Sequence, residues 1–151
     1  MTDKRVPVKV TGVYSFKDAE GVEQIYVQFE DEAGRRTRIF IGQCEAWAIA
    51  QGFQDAALDK APERPFAYEA ALACLSVTGA VVEEAYINDV REGVFYALVS
   101  LRFSDQVHQI DMRPSDAVNL AIRTKCPLLI NEKVIQFSID LEESRGKNAQ
   151  P

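Results

Sequence analysis

Apolar and polar residues alternate with a period of two near the start of the chain, where Val6, Val8 and Val10 are set against Pro7, Lys9 and Thr11. Successive strand side chains point to opposite faces, so this alternation predicts a half-buried strand over residues 6–16. A turn at 18–21 separates it from a second strand, 24–30, with Ile25, Val27 and Phe29 on one face. Residues 31–34 form another turn, and 37–41 read as a third strand carrying Ile39 and Ile41. Gly42 then breaks the pattern, and the Ala-rich stretch 43–51 reads as a helix. Residues 54–63 are polar and turn-like. Pro65 suits a first helical position, where its missing N–H costs nothing, and predicts a second helix to about residue 77, with Gly79 as its stop. Two long strands follow, 81–90 and 94–103, joined by a compact turn at 91–93. A shorter strand, 107–112, leads into a third helix opened by Pro114, and Pro127 starts a short apolar strand, 128–130.

The chain also resembles itself. Residues 39–46 align with 110–117, and the register continues, with Ile49-Ala50 falling on Leu120-Ala121. Each half holds two long strands, a shorter strand, a sharp turn and an Ala-rich helix. The expected fold is therefore α+β, with mainly antiparallel strands, three helices and two related strand-strand-strand-helix halves. It spans residues 1–138 and is followed by a disordered polar tail, 139–151. Glu45 and Asp116 occupy the same place in the two copies, in the first helical turn. One reading is local: an acid there is favoured by the helix dipole and by free backbone N–H groups. The other is functional: the two junctions converge, and bring Glu45, Asp116 and Arg113 to one cleft.

The copies differ in polarity. Asp111 stands where the first copy has Phe40, and Arg113 where it has Gly42. Asp111, Arg113, Ser115 and Asp116 fall within six residues, and Asp116, Asn119 and Arg123 form a stripe at helical spacing. Carboxylates in such a group could hold Mg²⁺ or Mn²⁺, and Arg113 could clamp a phosphate through two hydrogen bonds. A metal-activated water with an arginine clamp suffices for phosphodiester hydrolysis. His108, the only histidine, lies mid-strand and reads as a packed or edge residue, and Trp47 as a core anchor or dimer contact. There is no Cys–His pair at ligand spacing, no phosphate-binding glycine loop and no Gly-x-Ser-x-Gly elbow.

Composition adds limits. The net charge of −6 argues against a general nucleic-acid-coating role, which draws affinity from Lys and Arg, but leaves a local site open. The basic run at 35–38 reads as a solvated turn. Cys44, Cys74 and Cys126 are odd in number and widely spaced, which predicts reduced, mostly buried thiols in a cytoplasmic protein. No apolar run approaches the roughly 18 residues of a membrane span, and the N-terminal residues do not read as a secretory signal.

The segments 41–50, 64–65 and 111–121, with 93–97 between them, together resemble the bifunctional nuclease family, to which DNase and RNase activity is ascribed. The resemblance covers roughly residues 6–135, and Asp-x-Arg-Pro-Ser-Asp-Ala is its most specific part. It implies an α+β homodimer that hydrolyses DNA or RNA with low sequence preference, with a divalent cation as candidate cofactor. Carried over by position, it makes Glu45, Asp111, Arg113 and Asp116 catalytic candidates. Arg64 and Ser115, with Asn119 and Arg123 from the stripe, become substrate-binding candidates, and Asp111, Asp116, Glu45 and Glu69 the candidate metal ligands. The sequence departs from the family where Thr-His-Asp is usual, since Ala67, Tyr68 and Glu69 stand there. The alternative is a non-catalytic dimeric binding or regulatory module that keeps the fold.

Overall fold

The structure, a computed structural model, describes residues 3–59 and 66–148. Strands β1 (Arg5–Lys17), β2 (Glu23–Asp31) and β3 (Arg36–Phe40) form an antiparallel meander that runs into helix α1 (Gln43–Ala57). After α2 (Ala67–Thr78), the meander is repeated as β4 (Val81–Arg91), β5 (Val94–Phe103) and β6 (Gln106–Met112), followed by α3 (Pro114–Thr124). Strand β7 (Leu128–Asn131) and helix α4 (Glu132–Asn148) complete the described chain. The expected internal repeat is thus present as two strand-strand-strand-helix units.

The strands are mainly antiparallel, as expected, but one pairing is parallel. The sheet is mixed and seven-stranded, in the order β3-β2-β1-β7-β4-β5-β6. β7 joins the two meanders, pairing antiparallel with β1 and parallel with β4. Its near-continuous apolar character suits a strand covered on both faces, and Leu128, Ile130 and Asn131 are buried. The local turns follow the residues that make them. Glu92 and Gly93 both have positive φ (52° and 78°), the condition for a two-residue hairpin turn that matches strand twist. Gly79, at φ 80°, ends α2 in the left-handed conformation that costs glycine least.

Among the described residues there are four helices, not three. Of the expected disordered tail, residues 149–151 lie outside the described residues, and 139–148 belong to α4. Val134, Ile135 and Ser138 are buried on one side of it, with Ile139 packed against the core. The Ser138 hydroxyl accepts the backbone N–H of Arg38 at 3.0 Å, so α4 satisfies a donor on edge strand β3. Its polar end is held by side chains: Arg38 donates to Glu142 at 3.0 Å, and the Arg145 guanidinium lies 4.7 Å from the centre of the Phe40 ring. The polar composition signalled disorder only because these partners lie far away in sequence. α1 likewise runs past its expected end at residue 51, with Gly52 buried under α3's Arg123.

Two side-chain expectations are also corrected. Cys44 and Cys74 are exposed and Cys126 is partly buried, all three as free thiols. Trp47 is no core anchor: it is 60% exposed and packs edge-on against Phe66. No helix among the described residues is long and apolar enough to cross a membrane.

Candidate functional site at the paired junctions

Each unit ends its third strand, turns in extended backbone and begins a helix. Gly42 (φ −73°, ψ 160°) and Arg113 (φ −67°, ψ 147°) are the two turning residues. Neither helix start has a side-chain cap. Glu45 and Asp116 are therefore not used as capping acids, although both sit in the favourable field of a helix N-terminus. Because α1 packs on α3, the two first turns meet, and the acids close on the arginine of the second copy.

Arg113 donates Nε to Asp116 Oδ2 at 2.9 Å and Nη2 to Asp116 Oδ1 at 3.2 Å. The same Nη2 donates to Glu45 Oε1 at 3.1 Å. These carboxylates, Asp116 foremost, raise the guanidinium's pKa further above its ordinary value. Nη1 donates to no described residue, and the side chain is 64% exposed. A Cβ on residue 42 would collide with the Glu45 carboxylate. What favours glycine at this junction is that approach and not its φ, since a Cβ would make the end of the flexible Glu45 side chain shift.

Behind this surface lies a second, drier layer. The Tyr68 hydroxyl donates to Asp116 Oδ1 at 2.8 Å. Burial and then the adjacent carboxylate push its pKa up to about 12. Glu69 is used twice: Oε2 accepts the Phe66 N–H at 3.1 Å and Oε1 accepts Arg123 Nε at 2.8 Å. Arg123, whose side chain is only 6% exposed, also donates to Asn119 Oδ1 at 2.8 Å and to the Ala48 carbonyl at 3.1 Å. One guanidinium therefore ties α1, α2 and α3 together. Asn119 is fully buried and donates to the Ser115 carbonyl at 2.9 Å.

The structure thus brings Glu45, Arg113 and Asp116 together at the surface. It places Asn119 and Arg123 beneath them as braces, with buried Ser115 between. Asp111 is exposed on β6 and joins none of the cluster's hydrogen bonds. His108 is exposed on the same edge strand. Arg64 lies outside the described residues. Tyr68 is the residue that the sequence argument missed. Its signal was the spacing of Tyr68, Leu72 and Leu75, which marks the inner face of α2.

The acids do not suit a divalent cation. Among the described residues, no three His, Cys, Asp or Glu side chains gather as a metal-binding group would. Glu45 and Asp116 are already turned onto Arg113, and Glu69 onto Arg123. A guanidinium occupies the centre that a cation would need.

Two strand-strand-strand-helix copies in one mixed sheet, with an acid–guanidinium cluster where their helices begin, define the class of protein. The chain belongs to the bifunctional nuclease domain family, whose model matches residues 27–140. It is 34% identical over 109 residues to an uncharacterized protein of Mycobacterium tuberculosis strain CDC 1551, and equally to one of strain H37Rv. The match covers 70% of this chain and 60% of each relative, so the chain spans less than two thirds of their length.

Proposed function

We propose that the chain cleaves phosphodiester bonds of DNA or RNA, with low sequence preference, at the cluster of Glu45, Arg113, Asp116 and Tyr68. The observation that carries this reading is the exposed Arg113 guanidinium, steered by an acid from each copy, with Nη1 donating to no described residue. A donor fixed at this angle suits a non-bridging phosphate oxygen, and contacts to phosphate carry no sequence information. Glu45 then accepts the proton of an attacking water as its oxygen bonds to phosphorus; the bond to the leaving oxygen breaks, that oxygen takes a proton from solvent water, and Glu45 returns its own to solvent. Tyr68 is a positioning residue: its hydroxyl fixes Asp116, which in turn fixes Arg113. Family membership supports the nucleic-acid substrate.

We extend the reading to a homodimer. The outer face of α2 exposes Val77 (87%), and edge strand β6 exposes Val107 (49%) and Ile110 (42%). An unpaired strand edge and an exposed apolar residue on a helix are each surfaces that a second copy could cover.

One observation favours the alternative, a non-catalytic module. Two carboxylates facing one guanidinium leave the cluster net negative, and like charge disfavours phosphate. The deciding experiment is cleavage of single- and double-stranded DNA and RNA with Mg²⁺, Mn²⁺ or chelator, comparing wild type with Asp116→Asn and Arg113→Ala. Loss of cutting by the folded variants supports the nuclease. Highly purified wild type that cuts nothing, or variants that cut equally well, would leave the binding module. Light scattering on the same samples tests the dimer.

A further inference from the structure

The outward face of the first meander is aromatic. Tyr14, Tyr26 and Phe40 pair directly across β1, β2 and β3, and so form one row. The Tyr14 and Tyr26 rings are stacked, with centroids 5.6 Å apart, and Tyr26 meets Phe40 edge-on at 5.7 Å. Phe16 completes the patch, 6.1 Å from Phe40. The other face of these strands carries the buried residues Val27, Phe29 and Ile39. These four rings therefore contribute little to the core, and Tyr14 and Phe16 remain 42% and 44% exposed.

Guanidinium groups lie over this surface. Arg38 sits 5.1 Å from the centre of Tyr26, and Arg145 4.7 Å from that of Phe40. Beside them is a recess of about 320 Å³ whose walls are Phe16 and Phe40 and whose polar groups are Asp18, Gln24 and Arg145. Rings for stacking, an amide and a carboxylate at the rim, and guanidinium groups are the parts from which sites for unpaired bases are built. The second meander lacks this surface: Phe40 corresponds to Asp111, and the row across β4, β5 and β6 reads Tyr86, Leu98 and Asp111. Cross-strand aromatic pairs also stabilise sheets. Arg38 and Arg145 also tie α4 to this face, but neither role accounts for the recess beside the rings. Self-association through this face would bring arginines against arginines. Phe40 is also the last residue of β3, with only Ile41 and Gly42 between it and α1, which carries Glu45. The aromatic face is therefore continuous in the chain with the candidate site.

We infer that this face binds the unpaired bases of a single-stranded nucleic acid, with the recess beside Phe16 and Phe40 taking one base. The inference rests on the reading that the chain acts on nucleic acids, and adds to it a preference for single strands and a binding surface separate from the Arg113 cluster.

The test is fluorescence anisotropy in chelator at low salt. It uses labelled oligothymidylate and oligouridylate about a dozen nucleotides long, a size typical of single-strand binding sites, and a duplex of matched length. The proteins are wild type, Phe16→Ala, Phe16→Leu and Tyr14→Ala, each checked for an unchanged melting transition. Stacking of one base predicts roughly ten-fold weaker single-strand binding for each variant, Phe16→Leu included, because it keeps the apolar bulk and loses the ring. In cleavage assays the same variants should raise KM for the oligonucleotide roughly ten-fold and leave kcat unchanged. Variants that bind like wild type, or a duplex bound as tightly as single strands, would overturn the inference while leaving the nuclease reading intact. If wild type neither binds nor cuts any of these substrates, both fail. If the substitutions abolish a dimer instead, the face is a self-interface and the inference is wrong.

Discussion

Arg123→Met isolates the bond that holds the three helices of the site in place. Methionine keeps much of the apolar stem and removes the guanidinium. Glu69 then loses its 2.8 Å ion pair, while the Asn119 amide oxygen and the Ala48 carbonyl each lose a donor. Breaking a fully buried ion pair costs about 3–5 kcal/mol, because the partner charge is left uncompensated. Glu69 is 18% exposed and keeps its bond to the Phe66 N–H, so water can recover part of that cost. We therefore expect a destabilisation of about 2–4 kcal/mol, a large share of the roughly 5–15 kcal/mol that holds a domain together. Urea unfolding of wild type, Arg123→Met, Glu69→Gln and the double variant closes a thermodynamic cycle. The double variant should cost less than the sum of the single ones by about 1–2 kcal/mol, since each single change strands the other's partner. A cost below about 1 kcal/mol, or simple additivity, would show that the guanidinium is not the clamp the geometry describes.

Gly42→Ala places a methyl group against the Glu45 carboxylate. It should release Glu45 from Arg113 at a cost of about 1 kcal/mol and lower Tm by roughly 2–4 °C. An unchanged Tm with full nuclease activity would refute the packing argument. Ending the chain after Ser138 removes Ile139 and the Glu142 and Arg145 contacts, for a loss of about 2 kcal/mol and a Tm drop of roughly 4–8 °C. A disordered segment would leave Tm unmoved. Tyr68 has a folded pKa pushed up to about 12 from 10.0. Its neutral form is therefore favoured by folding, and this contribution is complete below pH 10 and lost as pH rises through 12. The urea stability of wild type should fall by about 1–2 kcal/mol more than that of Tyr68→Phe between those limits, after allowance for solvent screening. Parallel curves for the two proteins would contradict the assignment.

Much of the architecture is legible in the chain because it depends on local patterns. Alternation marked both meanders, and the positions of Gly79, Glu92-Gly93 and Pro114 fixed turns whose chemistry is local. The alignment of 39–46 with 110–117 identified the two junctions. What local patterns do not hold is the register between distant segments. β7 shows nothing in its four residues that selects a parallel partner. α4 reads as a polar tail until Arg38 and Phe40 are brought beside it. The site was half visible for the same reason. Glu45, Arg113 and Asp116 stand out as polar residues at helix starts, but Tyr68 enters through a contact 48 positions away. Ala67-Tyr68-Glu69 read as a loss against the family's Thr-His-Asp. In the fold Tyr68 and Glu69 are both used, one on Asp116 and one on Arg123.

The repeat explains why the cluster is asymmetric. Two identical junctions would set acid against acid, and the carboxylates would repel. Divergence at one position resolves this: the first copy keeps Gly42 and the second carries Arg113, so a single guanidinium serves both acids. The glycine complements it, because a Cβ there would press on Oε2 of the carboxylate whose Oε1 meets that guanidinium. Asymmetry continues on the outer faces, where the first copy presents Phe40 in an aromatic row and the second presents Asp111. The two junctions thus carry different surfaces: a charged cluster where the helices meet, and an aromatic face beside one strand end. On the proposed reading, guanidinium groups hold phosphate and rings hold bases. Exchanging Phe40 and Asp111 should therefore spare the Glu45–Arg113–Asp116 bonds, and reduce single-strand binding.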